Sequence, residues 1–152
     1  MTDKMVSIKA SREINASLER VWEIVSDVDK DAEYWKGISA IKNTRKEENL
    51  LERTVKVGFM GNKGYQIVKL SPNKSIELTM TSGPLKGSRL LNLCTLENGD
   101  KKRVDIVWDF QFSGVPNFAR GFVKGQIEGA TEEALDKIAR AAEEKVALVS
   151  SN

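Results

Sequence analysis

From Ile38 to Phe112 the chain is punctuated by five clusters of turn-forming residues: Glu47-Glu48-Asn49, Gly61-Asn62-Lys63-Gly64, Ser71-Pro72-Asn73-Lys74, Gly83-Pro84-Leu85-Lys86-Gly87 and Glu97-Asn98-Gly99-Asp100. Five turns separate six strands. Connections this short join antiparallel neighbours, because a parallel pair needs a long crossover, so a meander is expected and a parallel α/β core is not. The clearest strand alternates Val104, Ile106, Trp108, Phe110 and Phe112 inward with Asp105, Asp109 and Gln111 outward. Ile76, Leu78 and Met80 make a second such row. The facing of Arg89 to Leu96 stays open, since Leu90, Leu91, Leu93 and Leu96 populate both sides.

A seventh strand precedes these, with Val6, Ile8, Ala10 and Ile14 two apart and Arg12 on the same row. Ser17 is a suitable N-cap, with Glu19 in the first turn and Leu18, Val21, Trp22 and Val25 at helical spacing. The run Asp27-Val28-Asp29-Lys30-Asp31 ends that helix and can cap a second short one, which passes through Tyr34 and Trp35 and stops at Gly37. From Pro116 to about Val149 one long helix is expected, with Ile127, Ala130, Ala134, Ile138 and Ala141 as a narrow inward stripe. The predicted class is α+β: a seven-stranded curved antiparallel sheet, two short helices after the first strand, and a long C-terminal helix. No linker or repeat divides the chain, so residues 1–152 read as one domain.

Composition narrows the function. With 24 basic and 22 acidic residues the net charge is +2, which argues for neither a nucleic acid nor an anionic membrane as partner. The chain has no histidine, which removes the usual general base and the commonest metal ligand. Cys94 is the only cysteine, in an apolar strand, and reads as a small core residue rather than a nucleophile. Asp27, Asp29 and Asp31 imitate the start of a calcium loop, but Ala32 and Ile38 stand where that loop needs Gly and Glu, so helix capping is the better account. No motif requires a metal or cofactor, and no catalytic set is recognisable. The polar N-terminus and the lack of a membrane-spanning run lead to the expectation of a cytoplasmic protein, monomeric or homodimeric.

The order of elements resembles the superfamily of START-related lipid-transfer proteins, Bet v 1-like allergens and polyketide cyclases. The resemblance rests on Ile14-Asn15-Ala16-Ser17 closing the first strand, Val21-Trp22 with Asp27, the Trp35 approach to the second strand, the Gly83 to Gly87 turn, and Val104 to Phe112 before the last helix. Within it the chain looks most like small prokaryotic members described as polyketide cyclase or dehydrase and lipid-transport-like. The resemblance implies a helix-grip fold and a cavity between sheet and helix for a hydrophobic small molecule: a lipid, an isoprenoid or quinone, or a polyketide.

Trp35, Phe59, Met80, Trp108, Phe110, Phe112, Phe118, Phe122 and Ile127 are the candidate lining, with Phe118 and Phe122 as a gate; the plainer reading is ordinary core packing. Arg12 and Arg53 fall on otherwise apolar rows and are candidate anchors for a carboxylate or phosphate, unless each snorkels to water at a strand end. Gly121, Gly125 and Gly129 recur every four residues along the long helix, either for close approach to strands or to thin the wall beside a ligand. Two other functions remain open: a cyclase-like enzyme moving protons with Tyr34, Tyr65 or glutamates, and an interaction module for a ribosome, a chaperone or an enzyme under assembly.

Overall fold

Alternation decides which face of each strand is buried, and the strand with the strongest alternation sits inside the sheet. The computed structural model describes residues 5–57, 62–83, 85–96 and 101–151. Its strands are β1 (Val6–Ile14), β2 (Ile38–Lys46), β3 (Leu50–Val57), β4 (Asn62–Ser71), β5 (Ser75–Met80), β6 (Leu85–Thr95) and β7 (Lys102–Phe112). They form one antiparallel sheet in the order β1-β7-β6-β5-β4-β3-β2, so the meander runs from β2 to β7 and β1 completes it at the far edge. Val104, Ile106, Trp108, Phe110 and Phe112 are all buried on its concave side. Burying an apolar side chain of this size contributes about 1.5–3 kcal/mol.

Because β1 and β2 lie at opposite edges, the segment between them must cross the sheet. It does so as α1 (Leu18–Val25), a single 3-10 turn at Val28–Lys30, and α2 (Asp31–Tyr34). Ser17 caps α1 as expected, its hydroxyl accepting from the Arg20 backbone N–H at 3.1 Å. Asp27 precedes the 3-10 turn but makes no side-chain capping bond, and Asp31 spends its carboxylate on arginine instead. The capping account of that acidic run is therefore corrected. Asp29 turns toward Asn43 and Lys46, and Asp27 pairs with Lys30, so the three carboxylates are directed to separate partners.

Helix α3 (Asn117–Ser151) begins directly after Pro116 and packs chiefly on β1 and α1. Between residues 131 and 144 its buried face consists of Thr131, Ala134, Leu135, Ile138, Ala139 and Ala142, while Ile127, Ala130 and Ala141 of the expected stripe are only half-buried. Before Thr131 only Val123 is fully buried, and the helix stands off from the sheet. The glycines do not mediate close approach: nothing lies within 4 Å of a Cβ built at Gly121, Gly125 or Gly129.

Two turns differ from expectation. β4 already starts at Asn62, so Asn62, Lys63 and Gly64 pair with β3 rather than forming the turn, whose tip lies outside the described residues. Gly87 lies within β6 opposite Phe110, with φ at 151° and its Cα against the β7 backbone. The Glu97–Asp100 turn lies outside the described residues.

Candidate functional site

Where α3 stands off, a cavity of about 520 Å³ opens between the sheet, the α2–β2 junction and the helix. Its apolar wall is built by Trp35, Leu78, Met80, Trp108, Val123 and Ile127, and Gly129 and Ala130 keep the helix side thin. Leu78 and Met80 enter because β5 alternates cleanly, and Trp108 because β7 does. Exposed Lys36 and Gln126 stand at the mouth with half-exposed Glu133, whose carboxylate pairs with Lys137 at 3.3 Å. The volume lies within the range of small-molecule sites, about 300–1,000 Å³.

Two polar residues interrupt the inner wall, Gln66 and Arg89, and both belong to one buried cluster. Arg53 is its centre. The side chain is wholly buried; Nε donates to Gln66 Oε1 at 3.0 Å, Nη1 to the Val28 carbonyl at 2.9 Å and Nη2 to Asp31 Oδ2 at 2.8 Å. Arg89 Nη2 faces that same Asp31 oxygen at 3.7 Å, an ion pair too long for a hydrogen bond. Its guanidinium lies over the Trp35 ring at 4.1 Å and within 5.5 Å of the Trp108 ring centroid. Burial, opposed by the Asp31 charge and aided by that of Arg53, lowers the Arg89 pKa to about 10, so it stays charged at neutral pH. The cluster therefore sets two guanidinium groups against one carboxylate.

The wall's aromatic side continues into the core as an edge-to-face series: Trp35 on Trp108 at 5.8 Å, Trp108 on Phe110 at 6.1 Å, Phe110 on Phe112 at 5.3 Å. The indole N–H of Trp108 is held by Thr131 of α3.

Of the residues singled out in the sequence, Trp35, Met80, Trp108 and Ile127 stand in the cavity wall. Phe110 and Phe112 are buried behind it in ordinary packing. Phe59 lies outside the described residues. Phe118 and Phe122 are 90% and 68% exposed, so they point to solvent and do not line the cavity; the opposite side of the same turns faces inward, with Val123 buried and the Arg120 guanidinium over the Phe112 ring at 5.8 Å. Arg12 is an exposed surface residue paired with Asp136 at 3.3 Å, and Arg53 is sealed inside its own hydrogen bonds. Neither is placed to anchor a ligand. The arginine that reaches the cavity is Arg89, hidden in the sequence by the unread register of β6. The pairing of Arg89 with Trp108 fixes that register, putting Leu85, Arg89, Leu91 and Leu93 on the inner row. Cys94 falls on the outer row, half-buried, where burial and neighbouring Asp105 push its thiol pKa up, away from nucleophilic chemistry.

The profile of the family described as "Polyketide cyclase / dehydrase and lipid transport" matches residues 5–143. No curated protein sequence gives a significant match. Among solved structures, the Zhui aromatase/cyclase from a Streptomyces species superposes with a TM-score of 0.80 at 16% identity, over 94% of this chain and 96% of that one. A Thermus thermophilus protein gives 0.75 at 17% identity, over 97% and 100% of the two chains, and a START superfamily protein from Mycobacterium smegmatis 0.66 at 18%, over 88% and 97%. At such identities the likeness is one of fold. With the helix-grip architecture and a family match over nearly its whole length, the chain belongs to the family described as polyketide cyclase/dehydrase and lipid transport.

Proposed function

We propose that this protein binds or carries a hydrophobic small molecule, such as a lipid, an isoprenoid or quinone, or a polyketide-like ring system, in the cavity under α3. The observation that carries this reading is the cavity itself: about 520 Å³ left open in the core and walled by two tryptophans, a methionine and aliphatic side chains. Interiors are otherwise close-packed, so an apolar void of this size would forfeit considerable dispersion energy unless something occupied it. The family's description and the aromatase/cyclase and START neighbours point to the same class of molecule.

Binding is favoured over a cyclase role by where the proton-transfer candidates lie. Tyr65 hydrogen-bonds through its hydroxyl to Glu52 at 2.8 Å, and Tyr34 borders a minor crevice beside Asp31, so neither is in the cavity wall; Glu133, the glutamate that does line the cavity, is half-exposed and paired with Lys137 at 3.3 Å. Organic extraction of the purified protein followed by mass spectrometry should release an apolar compound in near-stoichiometric amount. Titration of delipidated protein with apolar probes should also change the fluorescence of Trp35 and Trp108. An empty extract together with unresponsive tryptophans would refute the reading.

A further inference from the structure

We propose that the cavity selects apolar molecules ending in a single carboxylate, and that the Arg89 guanidinium receives it. This rests on the reading of the cavity as a binding site and specifies what the occupant must carry.

Charge within the cluster is unbalanced. Arg53 and Arg89 share one acid, Asp31, through one oxygen, and Arg53 takes the short contact at 2.8 Å while Arg89 is left at 3.7 Å. Among the described residues Asp31 is the only acid paired with Arg89. A buried cation without a close counterion is costly, and a monoanion from the cavity would supply the missing charge. Geometry permits it: Arg89 is buried to within 4% of its surface, stands in the cavity wall, and rests its face on Trp35. A stacked guanidinium keeps its N–H donors in plane, where a carboxylate can take two of them. Discrimination would come from this inner group, because Arg89 is buried whereas the charges at the mouth, Lys36 and the Glu133–Lys137 pair, stand in solvent that screens them.

The test is calorimetric titration at pH 7 with decanoate, decanol and decylamine, which share a tail and differ in the head. Decanoate should bind about tenfold or more tightly than decanol, and decylamine more weakly than decanol. Arg89→Gln should abolish the preference of about tenfold for decanoate over decanol, read as the ratio of the two affinities in the same variant, while Arg89→Lys keeps part of it. Equal affinity of the wild-type protein for decanoate and decanol overturns the carboxylate proposal and leaves the cavity reading standing. Failure of all three to bind overturns the carboxylate proposal, and the cavity reading falls with it if the organic extract is also empty and the tryptophans do not respond. The wild-type comparison needs no substitution, so a variant that fails to fold does not remove the test.

Discussion

Trp108 and Thr131 tie the sheet to the long helix: the indole N–H donates to Thr131 Oγ1 at 2.9 Å, and that hydroxyl donates to the Ile127 carbonyl at 2.7 Å. The link falls where α3 stops roofing the cavity and starts packing on the core. Both residues are buried, so Thr131→Val, which keeps shape but not the acceptor, strands an indole N–H. A loss of about 1–3 kcal/mol is expected in urea unfolding. An unchanged midpoint would show that the bond holds nothing.

Asp31 is the only carboxylate contacting the two buried arginines among the described residues. Asp31→Asn should cost about 3–5 kcal/mol, because it leaves both cations uncompensated. Adding Arg53→Met should recover part of that loss. A double variant as unstable as the sum of its singles would contradict the coupling.

Glycines in this chain should respond to alanine with opposite signs. Gly121→Ala and Gly125→Ala add a methyl to open space on an exposed helix and should each raise stability by about 0.5–1 kcal/mol in thermal unfolding. A Cβ at Gly87 would stand 2.1 Å from the Asp109 carbonyl oxygen at a φ of 151°, so Gly87→Ala should destabilise the fold severely. Matching signs at the two kinds of site would refute this.

Acid should weaken the tie between the 3-10 turn and β2. Hydrogen bonds from Asn43 and Lys46 hold the Asp29 pKa below its ordinary 3.8. A depressed carboxylate contributes stability that is complete above the unfolded value and is lost as pH falls from there through the folded value. Denaturant midpoints measured from pH 5 downward should therefore fall less steeply in Asp29→Asn than in wild type. The difference should be below about 1 kcal/mol, since the pair is largely exposed.

Much of the architecture was legible because it depends on period and punctuation. β5 and β7 alternate, the turns carry Gly, Pro and Asn, and Ser17 signals the start of α1. The cavity wall was legible only where those signals are clean, at Trp35, Met80, Trp108 and Ile127. β6 defeated the same reasoning because Leu90 rests against Val107 on the outer face, so apolar residues occur on both sides and the register is set only by pairing with β7. Arg89 was hidden for that reason. Phe118 and Phe122 misled in the opposite sense: they have the character of core residues, and nothing local shows that they lie on the solvent side of α3.

The uneven seating of α3 divides its backbone into two kinetic classes. From Asn117 to Ala130 the helix carries three glycines and one fully buried side chain, whereas Thr131 to Ala142 is clamped by six. Local opening follows local burial, so amide protons of the first stretch should exchange with deuterium well before those of the second. Between Asn117 and Ala142, the cavity is thus roofed by the stretch that opens more readily, and the stretch from Thr131 to Ala142 stays folded while it does.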